Sequence, residues 1–387
     1  MLCPPRLHAI AATRRAHRPS GRSALRLFPH DLAARSPLRV DVPALHRGSS
    51  SSLPGRAKKR LDGGVQRALP AQKWSLIMSS IFKASTVVDV VEAVPTLFGF
   101  AVSESFIGII TNGPRKAFGF RLRLDMPHVE GAAEAGEMIA HHLNEHAGDG
   151  VVLLALSADQ DAADALTAEV VARLAPTNLI LAARADAANV WLYDRHGMPD
   201  YGAPVYDRPD RVSAAVVQAV AGGQQIWSSR EALAALFESA PVLYEISQDV
   251  EAIEAADAAA GERLALAATA ALESASAGIV NDDHARVLAI AAQVIPVRDA
   301  LWSTITHASA ESDAEVWRRV AIKTAGKAAA GPYALAAFGY WLAGDGARSL
   351  MAVEQALRAD IHHSLAGLVE MVLTQGVDPA KWTGMPA

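Results

Sequence analysis

Cysteine is almost missing from this sequence: Cys3 is the one cysteine among 387 residues. A disulfide needs two thiols and a thiolate zinc site needs several, so the chain beyond Cys3 has neither. A chain of this length without disulfides is typical of a reducing compartment, and we predict the cytoplasm.

Long apolar runs and nucleotide-binding motifs are missing as well. No uninterrupted apolar run reaches the roughly 18 residues of a membrane-spanning helix, and no apolar signal core follows the first basic residues. Neither Gly-x-Gly-x-x-Gly nor the phosphate-loop ending Gly-Lys-Ser/Thr occurs. The sequence therefore predicts no membrane partner and no cofactor.

Acidic residues are rare in the first 77 positions. This segment holds 12 Arg and 3 Lys against 3 Asp, a net charge of +12, whereas residues 78–387 hold 21 basic and 38 acidic residues, a net charge of −17. An Arg-, Pro- and Ser-rich stretch without an apolar period is typical of disorder, so we predict a disordered basic leader over residues 1–77. The acidic remainder argues against nucleic acid as a partner, because phosphates attract excess positive charge.

Three interpretations of this leader remain open. In the first, it is upstream sequence from a start codon assigned too early, and Met78 is the true start. In the second, it is an organelle transit peptide, which is also rich in Arg and Ser. In the third, it is a basic arm for nucleic acid. The family resemblance described below begins just after Met78, which favours the first.

The sequence after Met78 begins with the pattern of an antiparallel hairpin. Two apolar-rich stretches are separated by Asn112-Gly113, a dipeptide that supplies the positive φ of a tight turn. In the second stretch, Ala117–Leu124, apolar side chains alternate with arginines. The alternation predicts an apolar face and an arginine face. The predicted apolar face consists of Phe118, Phe120, Leu122 and Leu124. The predicted arginine face consists of Arg121 and Arg123.

A strand, a helix and a second strand follow. The continuous apolar run Val151–Leu156 is typical of a strand covered on both faces. A helix over Ala162–Leu174 and a strand over Asn178–Ala183 complete a βαβ unit, so part of the sheet is expected to be parallel. We therefore predict an α/β domain with a mixed sheet over residues 78–223, ending at Gly222-Gly223.

The remaining residues, 224–387, predict an all-helical domain. Its closing segment is the clearest part: Pro332 fits the first turn of one helix, Gly344 takes positive φ at its end, and Asp345 caps the next. The segment Gly331–Gly376 thus predicts a tetratricopeptide-like helical hairpin, although a stable array needs at least three such units. One ion pair is expected at i, i+4 spacing on the outer face: Glu354 with Arg358.

Seven stretches of the sequence, in order, match parts of one known family. They are Val94–Phe100 with Glu104-Ser105, Phe120–Pro127, Ser228–Leu233, Asp299–Trp302, Ala337–Ala347, Ala352–Leu357 and Ser364–Ala366. The resemblance that they carry extends over most of Lys83–Trp382. In these residues the chain resembles the actinobacterial family called domain of unknown function 4192, found also in actinophages. The resemblance implies no established activity, cofactor or catalytic residue.

The candidate ligand site is the segment after the apolar run Val151–Leu156. Ligands of open α/β sheets bind at the carboxyl ends of parallel strands, and a helix N-terminus favours an anion. We predict that Ser157 and Asp159 lie there and share a pocket with Asp125, which ends the hairpin. Serine and aspartate are also ordinary helix caps, so capping is the competing interpretation. No catalytic residue is predicted.

One pattern suggests a metal. His142-Leu143-Asn144-Glu145-His146 has the spacing His-x-x-Glu-His of inverted zinc proteases, which puts both histidines on one helix face. However, Gly148 follows at once, so both histidines lie in the last helical turn, where a positive imidazolium favours the negative end of the helix dipole. We interpret the pattern as a helix end and predict no metal site.

Together these observations favour a cytoplasmic binding or interaction protein, whose helical domain supplies the contact surface for a protein partner. The alternative is a small-ligand-binding or hydrolase-type enzyme that uses the strand end Ser157–Asp161. The sequence leaves the oligomeric state open.

Overall fold

The computed structural model describes residues 83–384 apart from short gaps at 147, 176–178, 202–205, 208–212, 241–243, 257 and 277–279. It also describes the backbone of Leu7–Ile10 and Val40–Asp41. Apart from these two segments, the predicted disordered leader lies outside the described residues. Within the described part, each helix is too short or too polar to cross a lipid bilayer.

The described strands form one mixed sheet of seven strands and a two-stranded ribbon, β2-β3. The order in the sheet is β1-β5-β4-β6-β7-β8-β9. The bounds are β1 Leu7–Ile10, β2 Val40–Asp41, β3 Lys83–Ala84, β4 Ser105–Asn112, β5 Ala117–Asp125, β6 Gly150–Leu156, β7 Leu179–Ala185, β8 Asn189–Leu192 and β9 Tyr206–Asp207. Strands β6 and β7 run parallel, and the other neighbours in the sheet run antiparallel. The predicted hairpin, β4-β5, and the predicted mixed sheet are confirmed.

Helices dominate the described chain after the sheet. Their bounds are α1 Val87–Phe98, α2 Ala132–Glu145, α3 Gln160–Arg173, α4 Ala214–Ala221, α5 Arg230–Ala234, α6 Ser247–Glu254, α7 Ala258–Ser276, α8 Asp282–Ala291, α9 Ile295–Ser303, α10 Ala310–Ala321, α11 Ala330–Leu342, α12 Gly346–Ala359 and α13 Ser364–Thr374. The predicted order, an α/β part followed by a helical part, is confirmed. The domain boundary at Gly222-Gly223 stays a prediction.

The sheet is covered on both faces by apolar cores. On one face, α2 and α3 pack against side chains such as Leu122 and Leu124. On the other face, α1 and the helical layer, α5 to α13, share a continuous core with Ile107 and Ile109. This continuity explains why β6 is buried along its whole length: both of its faces meet helices.

A bulge in the hairpin changes the predicted faces of β5. Ile109 pairs with Arg121, yet Thr111 pairs with Phe118, so β5 has one extra residue between the two pairs. An extra residue reverses the alternation of side chains. The prediction that Phe118 shares a face with Phe120 is therefore wrong. Phe118 packs toward the helical layer, and Phe120 toward α2.

Helix α11 is the centre of the helical layer. All 13 of its residues, Ala330 to Leu342, are buried, and α10, α12 and α13 pack around it. Gly339 allows the close approach of α10: a Cβ at this position would lie 2.9 Å from both the carbonyl oxygen of Ala310 and the Cβ of Ala314. The absence of a side chain at Gly339 thus sets the spacing of α10 and α11.

A polar network around Glu315 joins these helices. The carboxylate of Glu315 accepts hydrogen bonds from the Tyr340 hydroxyl at 2.9 Å, from Arg318 Nη2 at 2.6 Å and from Arg319 Nε at 3.1 Å. Arg318 also donates to the carbonyl oxygen of Leu236, which follows α5. One carboxylate therefore links α10 to α11 and, through Arg318, to the segment after α5.

The closing hairpin follows its local signals except for one ion pair. Gly344 has φ of +80°, and Asp345 caps α12, as predicted. The predicted pairing of Glu354 with Arg358 is wrong. Glu354 pairs instead with Arg230 of α5, at 3.2 Å, because tertiary packing brings that distant guanidinium to its carboxylate. The tetratricopeptide-like character of the hairpin stays a prediction.

Candidate functional site

The predicted site residues lie along one edge of the sheet. Ser105, the first residue of β4, pairs with Asp125 on one side and with Leu156 on the other. Asp125 and Ser157 therefore leave the sheet at the same edge, on either side of β4. Glu104, which the sequence analysis did not single out, lies between them.

Glu104 holds Ser157 in place. The hydroxyl of Ser157 donates to Glu104 Oε2 at 2.6 Å, and the N–H of Ala158 donates to Glu104 Oε1 at 3.0 Å. Glu104 has φ of +41°, a left-handed conformation that a non-glycine residue adopts at an energetic cost. These hydrogen bonds fix the turn between β6 and α3 to the start of β4.

Asp159 is the N-cap of α3. Its Oδ1 accepts the N–H of Ala162 at 3.0 Å, and its own N–H donates to the Ser157 hydroxyl at 3.0 Å. The structure thus brings Ser157 and Asp159 together, in the capping arrangement that competed with the ligand-site interpretation. Their role in binding a ligand stays a prediction.

Arg184 braces the same turn from inside the sheet. Its Nε and Nη2 donate to the carbonyl oxygens of Ser157 and Ala158, at 3.2 and 3.1 Å. The guanidinium lies 4.7 Å from the ring centre of Trp191, and the residue is buried. The sequence signal for this residue is an arginine inside the otherwise apolar strand β7.

Two tyrosines close the loop after β8 onto α3. The hydroxyls of Tyr193 and Tyr201 both donate to Oδ1 of Asp164, Tyr193 at 2.8 Å. Burial, followed by these hydrogen bonds, raises the pKa of Tyr193 strongly and that of Tyr201 to about 12. Both phenols therefore stay protonated at neutral pH, and they act as donors that hold the loop.

Asp125 belongs to a second group of charges, on the side of the sheet that faces the helical layer. It forms an ion pair with Arg123, whose side chain is 6% exposed. Arg121 lies two residues earlier on the same face of β5, opposite Ile109. We refer to Arg121 and Arg123 as the arginine pair. Asp125 thus takes part in a contact separate from the hydrogen bonds of Ser157 and Asp159.

The histidine pattern forms a bridge between the layers on the two faces of the sheet. The His146 ring stacks on Phe120, with ring centres 3.5 Å apart. Its Nδ1 lies 2.8 Å from the carbonyl oxygen of His142, and its Nε2 lies 2.8 Å from that of Gly376, after α13. A metal needs a ring nitrogen with a free lone pair, whereas both nitrogens here point at acceptors. No group of three metal-binding side chains occurs among the described residues.

Replacing His146 with phenylalanine is expected to lower the free energy of unfolding by about 1 kcal/mol, because the ring N–H that donates to one of these two carbonyl oxygens is lost while the ring stack is kept. Urea unfolding followed by circular dichroism measures this change. His141 is exposed on the same helix, so His141→Phe serves as the control and is expected to change stability by less than about 0.5 kcal/mol. Equal effects of the two substitutions would contradict the bridge.

Comparison with known protein families gives a match over most of the chain. A family model described as Domain of unknown function (DUF4192) matches residues 88–380. No curated protein and no solved structure matches the chain. The matched residues include the strand-end turn, the arginine pair and the closing helical hairpin.

Proposed function

Because this chain belongs to the DUF4192 family, whose description assigns no activity, we propose its function from its own geometry: it acts by binding rather than by catalysis. The supporting observation is that the reactive groups at the strand end serve the fold. The Ser157 hydroxyl donates to Glu104, and the Asp159 carboxylate caps α3. A nucleophile needs a base that accepts its proton and a substrate within reach, whereas Glu104 here shares its carboxylate between two donors of one turn.

The helical layer supplies the contact surface in this proposal. Leu368 and Met371, on the outer side of α13, are 40% and 48% exposed, and Ile361, just before α13, is 69% exposed. Apolar side chains grouped on one exposed side are typical of protein contacts. In this proposal the chain binds a protein partner in the cytoplasm. The charge of −17 over residues 78–387 disfavours nucleic acid and anionic membrane surfaces, which attract positive charge.

The test compares turnover with stability in Asp159→Ala. The purified chain is incubated with esters, peptides and nucleotides, and no turnover above background is expected from the unchanged protein or the variant. The variant is expected to lose about 1 kcal/mol of unfolding free energy, since it loses an N-cap. Turnover by the unchanged protein that disappears in Asp159→Ala, at equal folded fraction, would reject the proposal.

A second candidate function is small-ligand binding at this end of the sheet. The arginine pair favours it, because the buried Nε atoms of Arg121 and Arg123 have no hydrogen-bond acceptor among the described residues. A thermal-shift screen with nucleotides, phosphosugars and divalent metals separates it from the first candidate, since a ligand that binds the folded state raises the melting temperature.

A further inference from the structure

The arginine pair lies in a seam between the sheet and the helical layer. Arg121 and Arg123 alternate with Leu122 and Leu124, which are fully buried on the opposite face of β5. Both arginines therefore project toward the helical layer. The backbone of β1 runs along the outer side of β5, where it pairs with Arg121–Leu124, and encloses the seam from that side.

Arg123 is partly satisfied by its neighbours. It forms the ion pair with Asp125, and its guanidinium lies 5.6 Å from the ring centre of Phe100. Its Nε is buried and has no hydrogen-bond acceptor among the described residues. Burial lowers the pKa of Arg123, while Asp125 opposes that change and the nearby Arg230 adds to it. The Nε of Arg123 is thus a donor that lacks an acceptor among the described residues.

Arg121 lacks a hydrogen-bond partner altogether in the part of the chain that the structure describes, and its Nε is buried. Burial lowers the pKa of Arg121 to about 10, and the charge of Asp345 opposes this. Asp345 is already engaged, however: it accepts the N–H of Arg348 at 2.9 Å and the Nε of Arg348 at 2.6 Å. A buried donor without an acceptor costs about 1–3 kcal/mol, and more when it is charged. Such a group is often completed by a bound ion or ligand.

We propose that Arg121 and Arg123 bind the oxyanion of a small ligand, a carboxylate or a single phosphate, in the seam between β5 and the N-terminus of α12. The planar guanidinium fork matches both groups, because it presents two parallel donors to two oxygens. This site rests on the second candidate function, small-ligand binding, and names its ligand class; it does not depend on the strand-end hydrogen bonds.

The other charges at the seam limit which ligands fit. Asp125 and Glu231 act on Arg123, and Asp345 acts on Arg121, while Arg230 adds a positive charge nearby. Three carboxylates repel a chain of phosphates, so they disfavour a nucleoside triphosphate. One oxyanion supplies the charge and the acceptors that Arg121 lacks. The ligand class is therefore a small monocarboxylate, dicarboxylate or phosphomonoester.

The experiment measures the melting temperature of the full chain at constant ionic strength, with sodium chloride replaced stepwise by sodium phosphate, acetate or succinate. Phosphate or a carboxylate is expected to raise the melting temperature in a concentration-dependent way. Phosphate alone identifies a phosphate site, and carboxylates alone identify a carboxylate site; both results support the proposal. No rise with any of these anions overturns it.

Variants assign the response to the seam. Arg121→Met is expected to lose the response and to melt no lower than the unchanged protein without ligand, since a half-buried charge with an unpaired Nε is removed. Arg121→Lys keeps the charge but loses the fork, so its apparent affinity is expected to fall about tenfold. The control is Arg286→Met, which removes an arginine that is 49% exposed on α8 and is expected to keep the full response. An equal response in Arg121→Met, Arg121→Lys and the unchanged protein overturns the proposal.

Discussion

Replacing Gly339 with valine is expected to lower the free energy of unfolding by about 3 kcal/mol, which is at the upper end of the usual cost of overpacking. The added Cβ alone would meet the carbonyl oxygen of Ala310 and the Cβ of Ala314 at 2.9 Å. The first of these is a backbone atom, so it does not rotate away, and α10 is forced to move. The branched side chain enlarges this displacement. The free-energy cost of moving α10 far exceeds the gain of less than about 1 kcal/mol that valine brings through its better helix propensity.

Urea unfolding followed by tryptophan fluorescence measures the effect, because Trp317 and Trp341 are buried in this layer. The matched control is Gly367→Ala in α13, where an added Cβ meets no atom within 4 Å. That substitution is expected to stabilise the protein by about 0.5–1 kcal/mol, since alanine loses less backbone entropy. If Gly339→Val and Gly367→Ala shift the midpoint in the same direction, the close contact of α10 and α11 is not present in solution.

Replacing Glu315 with glutamine is expected to cost about 3 kcal/mol. The substitution leaves Arg318, whose side chain is 10% exposed, beside a neutral amide, and removing one partner of a buried ion pair costs about 3–5 kcal/mol. Partial exposure of Glu315 places the effect at the lower end of that range. Glu311 provides the control on the same helix, because its side chain is 72% exposed. Glu311→Gln is expected to cost less than about 1 kcal/mol.

The same ion pair predicts a pH dependence. Burial by itself would raise the pKa of Glu315, but Arg318, with Tyr340 and Arg319, outweighs burial and lowers that pKa to about 2. A carboxylate with a depressed pKa in the folded state stabilises the protein fully above its unfolded pKa of about 4.5, and this stabilisation is lost as the pH falls toward 2. The stability difference between unchanged protein and Glu315→Gln is therefore expected to shrink between pH 5 and pH 3. A difference that stays constant over this range would contradict the assigned contact.

Local signals in the sequence predicted much of the fold, because turns and caps depend on neighbouring residues alone. Asn112-Gly113 lies at the turn of the hairpin, and Asp345 caps α12, as expected from the residue types that favour turns and N-caps. Helix α1 was missed, since Pro95 and a run of valines are poor helix formers by propensity. Its N-cap, Thr86, and its packing against the sheet outweigh that local preference.

The parts that failed depend on distant residues. The bulge that turns Phe118 to the other face is set by the register of β5 against β4. The alternation of residue types within β5 alone does not indicate where this bulge lies. Glu354 pairs with Arg230 of α5 rather than with Arg358, its predicted partner on the same helix. The candidate site shows the same limit: the position of Ser157 was predicted, whereas its partner Glu104 and the unpaired donors of Arg121 required the assembled sheet.

The complete enclosure of α11 has a consequence for synthesis of the protein. This helix leaves the ribosome before α12 and α13, which cover two of its sides. Until those last segments emerge, its tyrosine, phenylalanine and tryptophan side chains remain in contact with water, a state that favours aggregation or chaperone capture. The growing chain thus reaches its stable form only after α12 and α13 have emerged, and a premature stop codon after α11 would leave this helix exposed.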